Sequence, residues 1–173
     1  MPARTIILLR HAEKPGAEGG VDIHGRPDDN ELSVRGWQRA GALARLFAPG
    51  GGELGVPGAL FAERPCSAHP SRRCVSTLQP LAERLGLSLD LSFQRGEETD
   101  LAHSLTRTEG LVLTAWDHRH LGKIADALLG SAGIAPTDWP EQSFDRFWIF
   151  SREDVGWKFE DRPQRLLAGD AAA

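Results

Sequence analysis

The sequence has little cysteine: two residues, Cys66 and Cys74, spaced too widely for a Cys-x-x-Cys motif and too few for a disulfide framework. Both read as reduced thiols with packing roles. It lacks any apolar run long enough to span a bilayer, and Met1 to Arg10 is too short and too soon interrupted by charge to be a secretory signal. A cytoplasmic location without membrane association is the expectation. It also lacks a basic excess, with 20 Lys and Arg against 24 Asp and Glu and a formal net charge of -4. No general attraction to nucleic acid or anionic membrane follows, so basic chemistry must be local. No internal repeat or low-complexity linker divides the 173 residues. That length suits one sizeable core and is short for two, so residues 1–173 are expected to form a single domain.

What is present begins with Thr5 to Lys14, TIILLRHAEK. Thr5 to Leu9 is a continuous apolar run rich in β-branched residues, which fits a strand covered on both faces. Its carboxyl end carries Arg10 and His11, and in open α/β sheets ligands bind in the crevice beyond those ends. A plain exit of the strand into solvent would look the same at this point. Pro15 to Glu31 follows, rich in glycine, proline and charge, and predicts a long loop bordering that crevice. His24 and Arg26 read as solvated loop residues.

Ser33 then precedes VRGWQRAGALARLFA, where Trp37, Ala40, Leu43, Ala44 and Phe47 recur at helical spacing and Ser33 supplies an N-cap. Gly50 to Gly52 end the element. Pro57 to Ala62 reads as a second strand, ending in Glu63 and Arg64. Ser71 is placed to cap a helix, RRCVSTLQPLAERLG, with Val75, Leu78, Leu81 and Leu85 inward, a kink or break expected at Pro80, and Gly86 as the stop. Arg72 and Arg73 fall in its first turn, where the helix dipole disfavours cations unless an anion is shared with the free amides. Leu87 to Phe93 alternates like a strand. Arg95 to Thr108, with Glu97, Glu98, Asp100 and His103, reads as a short polar helix with most of its charges solvated.

Gly110 to Trp116 repeats the buried-strand pattern and also ends in charge: Asp117, His118, Arg119 and His120. Two core strands ending in histidine can bring two imidazoles to one crevice. Leu121 to Leu129 continues as a helix closed by Gly130, and Ser131 to Glu141 is a proline-containing connection. Phe144 to Phe150 and Val155 to Glu160 read as antiparallel strands joined through Ser151 to Asp154. The tail from Pro163 to Ala173 reads as frayed.

Three separated pieces stand out: LLRHAEK with Arg10 and His11, Arg73 with Thr77 four residues on, and His118 in VLTAWDHRHLGKIADALLG. In order, spacing and setting they resemble the histidine phosphatase, or phosphoglycerate mutase-like, superfamily, from the first strand to about Gly130. The resemblance implies an α/β fold of three layers, with a mostly parallel central sheet and helices on both faces. It implies a metal-independent phosphatase without cofactor, acting on a phosphorylated small molecule or phosphoprotein, with oligomeric state left open. His11 would be the nucleophile, and Arg10, Arg73 and His118 would bind the phosphoryl oxygens.

The chemistry is consistent with the residue types. Guanidinium forks hold phosphoryl oxygens through charge-assisted, bidentate hydrogen bonds. A neutral imidazole is a nucleophile near neutral pH, and a covalent intermediate splits one hard displacement into two easier ones. The family's usual glutamate between the second and third signatures has no local match here. Candidate proton donors are therefore Glu13, Glu97, Glu98 and Asp117, each with a solvated or structural role as its alternative. Without an acid, substrates with good leaving groups, such as phosphohistidine and aryl phosphates, are favoured, and a mutase is disfavoured.

Two other readings remain at this point. His11 and His118 with Asp117 could be metal ligands, although two arginines beside them oppose a cation. His118 with His120 is a weaker pair, and His69 and His103 read as loop surface. A protein that binds phosphate or docks a partner without turnover would keep the same pocket.

Overall fold

The structure, a computed structural model, describes residues 4–130 and 134–172. Its strands are β1 (Thr5–Arg10), β2 (Ala59–Ala62), β3 (Leu89–Asp90), β4 (Leu111–Trp116), β5 (Arg146–Glu153) and β6 (Gly156–Pro163), and its helices are α1 (Val34–Leu46), α2 (Arg73–Leu85), α3 (Glu98–Arg107) and α4 (His118–Leu129). The strands form one six-stranded sheet in the order β3-β2-β4-β1-β5-β6. β1 to β4 are mutually parallel, β5 runs antiparallel to β1, and β6 pairs antiparallel with β5.

The continuous apolar run of β1 has a simple physical origin. Successive strand side chains point to opposite faces, and both faces of this sheet are covered. Ile6 and Leu8 pack with Leu101 and Leu105 of α3 and Leu121 and Ile124 of α4. Ile7 and Leu9 pack with Leu43 of α1 and Leu78 and Leu81 of α2. All four β1 side chains are buried, each worth about 1.5–3 kcal/mol relative to exposure. The result is the expected three-layer α/β architecture with a mostly parallel sheet.

Local signals place the helices. Ser33 caps α1 by accepting from the Gly36 amide at 3.1 Å, and α2 and α4 end at Gly86 and Gly130 in the left-handed conformation, with φ of 67° and 66°. α2 runs through Pro80 without a break. Its N-cap is Arg72, and Ser71 stands one residue earlier, accepting from the Arg73 amide at 3.4 Å.

Four further expectations change. The strand expected over Leu87 to Phe93 shrinks to Leu89–Asp90, because the Asp90 carboxylate accepts from the Ser92 amide at 2.8 Å and turns the chain away. Glu98 is buried rather than solvated. The tail is not frayed: Gln164 is buried, and Asp170 reaches a buried arginine. The hairpin turn falls at Asp154 and Val155. The connection expected from Ser131 to Glu141 lies partly outside the described residues. Among the described residues no helix is long and apolar enough to cross a membrane.

The topology locates a crevice. β1 and β4 are neighbours, yet the chain leaves β1 through α1 on one face and leaves β4 through α4 on the other. Their carboxyl ends therefore open where the connections diverge.

Candidate active site

Arg10 pairs with Trp116 in the parallel ladder, so the next residues, His11 and Asp117, leave adjacent strands abreast. A pocket of about 220 Å³ opens there, lined among others by His11, Arg73, Glu63, Arg95, Asp117 and Arg119. A larger cavity of about 690 Å³ follows β6 and the tail and holds none of the expected site residues.

His11 is buried, at 6% exposure. Its Nδ1 lies 2.7 Å from the Ala12 carbonyl oxygen. A carbonyl oxygen only accepts, so Nδ1 carries the proton and Nε2 keeps its lone pair. Burial pushes the imidazole down to about 3, and the charges of Arg10 and Arg73 act in the same direction. The ring is therefore neutral near pH 7. The turn that carries it is tied to α2: the Ala12 amide donates to Thr77 Oγ1 at 2.8 Å, and that hydroxyl donates to the Arg73 carbonyl at 2.6 Å. The four-residue spacing of Arg73 and Thr77 is thus one helical turn that also binds the loop carrying His11.

Arg73 lines the pocket while its Nε and Nη2 donate to the carbonyls of Glu31 at 3.1 Å and Asp29 at 2.6 Å. Arg10 is buried, with one guanidinium face on the Phe144 ring at 3.9 Å, Nη1 donating to the Glu141 carbonyl, and Nε without a partner. Burial lowers its guanidinium to about 10. His118 opens α4 and lines an adjoining pocket with Trp139 and Glu141; the two pockets share Arg119. The wall abreast of His11 is Asp117, not His118.

The candidate proton donors are all engaged. Glu13 is paired with Arg39 at 2.8 Å and Arg35 at 3.3 Å and lies outside the His11 pocket. Glu97 accepts from the Gln94 amide, and Glu98 accepts from the Gly96 amide and the Trp116 indole. Asp117 does line the pocket. Burial favours its neutral form, but hydrogen bonds from Arg119 and the charge of Arg95 outweigh this and hold the carboxyl below its ordinary value. Cys74 is buried in the pocket wall, and burial pushes its thiol well up. Among the described residues no group of three or more His, Cys, Asp or Glu is arranged to hold a metal ion.

No family model matches the chain, and no curated protein matches it by sequence. Solved structures do match. A mycobacterial glucosyl-3-phosphoglycerate phosphatase superposes with a TM-score of 0.56 at 16% identity, over 95% of this chain and 100% of that chain. A histidine-to-alanine variant of phosphoserine phosphatase from Entamoeba histolytica, in complex with phosphoserine, gives 0.59 at 12% identity, over 94% and 98%. A candidate phosphohistidine phosphatase SixA from Nakamurella multipartitia gives 0.53 at 16%, also over 94% and 98%. The fold is that of the histidine phosphatases.

Within this phosphoglycerate mutase-like fold, several pocket residues were not foreseen. Glu63 follows β2 directly and is buried, with Oε1 accepting from Arg95 Nη2 at 2.9 Å and Oε2 from the Asp117 amide at 3.1 Å. Its signal was available, since β2 ends in charge as β1 and β4 do. Arg95 had no such signal, because only folding brings it to Glu63, Asp117 and His69 at once. His69, expected on the loop surface, lines the pocket instead. Phe144 gave no pattern either, although it covers Arg10 and lies 6.0 Å from the His11 ring.

Proposed function

We propose that the chain is a metal-independent phosphatase of the histidine phosphatase superfamily, hydrolysing a phosphomonoester or phosphohistidine through a phosphoryl group carried on His11. The observation that carries this reading is the neutral His11 ring, fixed by the Ala12 carbonyl with Nε2 left free, in a pocket that also holds Arg73. In the first step Nε2 attacks phosphorus, the bond from phosphorus to the leaving atom breaks, and that atom departs with the electron pair. Water then attacks phosphorus, the P–N bond breaks, and phosphate leaves with His11 restored. Arg73 and the unpartnered Nε of Arg10 would hold the phosphoryl oxygens. His118, whose buried Nδ1 has no partner and whose imidazole is lowered by burial and by the Arg10 charge, joins them as a third phosphoryl ligand.

The engaged state of Glu13, Glu97, Glu98 and Asp117 supports substrates whose leaving group departs without a strong acid, such as aryl phosphates and phosphohistidine. The charged lining also suits a small polar phosphorylated compound, and the activity is assigned to the cytoplasm. Brief exposure to an aryl phosphate should leave a phosphoryl group on His11. Turnover should persist in chelator and fall by at least about 10³-fold in His11→Ala. Activity that vanished with chelator would overturn the mechanism.

One observation favours a protein that binds phosphate or docks a partner without turnover: Asp117, the one candidate proton donor that lines the His11 pocket, is held, despite burial, below its ordinary value by Arg119 and Arg95 and so is a poor acid. Bound phosphate with no covalent phosphoryl group on His11 would select that reading.

A further inference from the structure

We infer that Glu31 is a positioning residue that holds Arg73 in its phosphoryl-binding orientation; the inference rests on the reading of Arg73 as a phosphoryl ligand. A flexible arginine is useful for binding only when its fork is aimed beforehand, because ordering it during binding costs side-chain entropy. Arg73 is aimed by main-chain carbonyls. Nε donates to Glu31 O and Nη2 to Asp29 O, which occupies one edge of the guanidinium and leaves Nη1 to present to the pocket. Both carbonyls belong to a loop, so the aim is only as good as the loop's attachment.

Glu31 makes that attachment. Its side chain is buried, at 7% exposure, and its carboxylate accepts from Arg72 Nε at 3.0 Å and from the Ser76 hydroxyl. The Arg72 amide adds a bond to the Asn30 carbonyl at 2.9 Å. Arg72, Arg73 and Ser76 all belong to the start of α2, so the helix holds the loop through two of them and the loop holds the third. A charge-assisted hydrogen bond is stronger than a neutral one, and a carboxylate can accept both bonds at once. The same placement explains why adjacent arginines differ: Arg73 faces the pocket, while Arg72 faces Glu31.

The test is a double-mutant cycle on Glu31→Ala and Arg73→Ala, with inorganic phosphate affinity measured by calorimetry. Glu31→Ala should weaken phosphate binding by about tenfold or more, as misplaced binding groups do. In the Arg73→Ala background the same change should have no further effect. A second readout does not depend on phosphate: the Arg73 Nε–H signal in NMR, assigned with Arg73→Lys, should be sharp in the parent and broaden in Glu31→Ala. Glu31→Gln keeps a carbonyl acceptor and should restore part of both, and it serves also if the alanine variant does not fold. An unchanged Arg73 signal, or equal effects of Glu31→Ala with and without Arg73, would overturn the inference. A parent protein that shows the expected NMR change but neither binds phosphate nor turns over would instead overturn the phosphatase reading.

Discussion

His11 is a buried base kept neutral by its surroundings, and its pH behaviour follows. With the folded imidazole at about 3, protonation should not remove the Nε2 lone pair between pH 7 and pH 5. Histidine NMR should show the Nδ1–H tautomer of His11 throughout that range, and imidazolium at pH 5 would contradict the assignment. The same shift affects stability. Below the ordinary value of 6.5 the unfolded chain takes up a proton that the folded chain refuses, so stability should decline as pH falls from 6.5 toward 3. The neighbouring arginines give a second expectation at this scale. Arg73→Ala should reduce kcat/KM by roughly 10²-fold or more, and Arg72→Ala by much less, since the half-exposed Arg72 acts only through Glu31. Equal losses would show that Arg73 has been given the wrong role.

At the scale of elements, the site depends on how closely α1 and α2 approach the turn after β1. Gly36 lies in the first turn of α1, and a Cβ there would stand 2.5 Å from the Glu13 carbonyl oxygen. That oxygen already accepts from the Ser33 amide at 3.0 Å and the Ser33 hydroxyl at 3.1 Å, so it has little room to move. Gly36→Ala should cost about 1–3 kcal/mol by overpacking, read as a lower urea midpoint with reduced turnover. α2 contributes Thr77. Thr77→Val keeps the shape but leaves the buried Ala12 amide without its acceptor, at a cost of about 1–3 kcal/mol. Activity should fall beyond what the stability loss explains, because the Ala12 turn also carries the carbonyl that fixes His11. A fully active Thr77→Val protein would remove that link.

Across the whole molecule, Arg39 joins three distant parts of the chain. It is 2% exposed, and its guanidinium bonds Glu13 after β1 and Gln164 and Asp170 in the tail. The Asp170 carboxyl is pushed down to about 2: burial opposes this, but Arg39 and the amides of Leu167 and Leu166 prevail. Its contribution is complete above its ordinary value of 3.8 and is lost as pH falls toward 2. Asp170→Ala removes one partner from a buried pair and should destabilise by about 3 kcal/mol or more, measurable in urea. An unchanged midpoint would mean that the tail is not part of the folded unit.

Sequence by itself determined the elements and the chemical inventory. Continuous apolar runs, helical spacing, a serine N-cap and glycine stops are local, and each acts through the residues beside it, so β1, α1, α2, β4 and the final hairpin were legible. Strand ends carrying charge pointed to Arg10, His11 and the stretch from Asp117, and the spacing of Arg73 and Thr77 is one helical turn. Tertiary structure decided who meets whom. The register of β1 with β4 set Asp117 rather than His118 abreast of His11, a choice of one residue that strand periodicity cannot make. Folding also brought Glu63, Arg95 and His69 into one wall, buried Glu98, and clamped a tail that composition alone suggested was loose. These are partnerships between residues far apart in the chain, and local spacing carries no record of them.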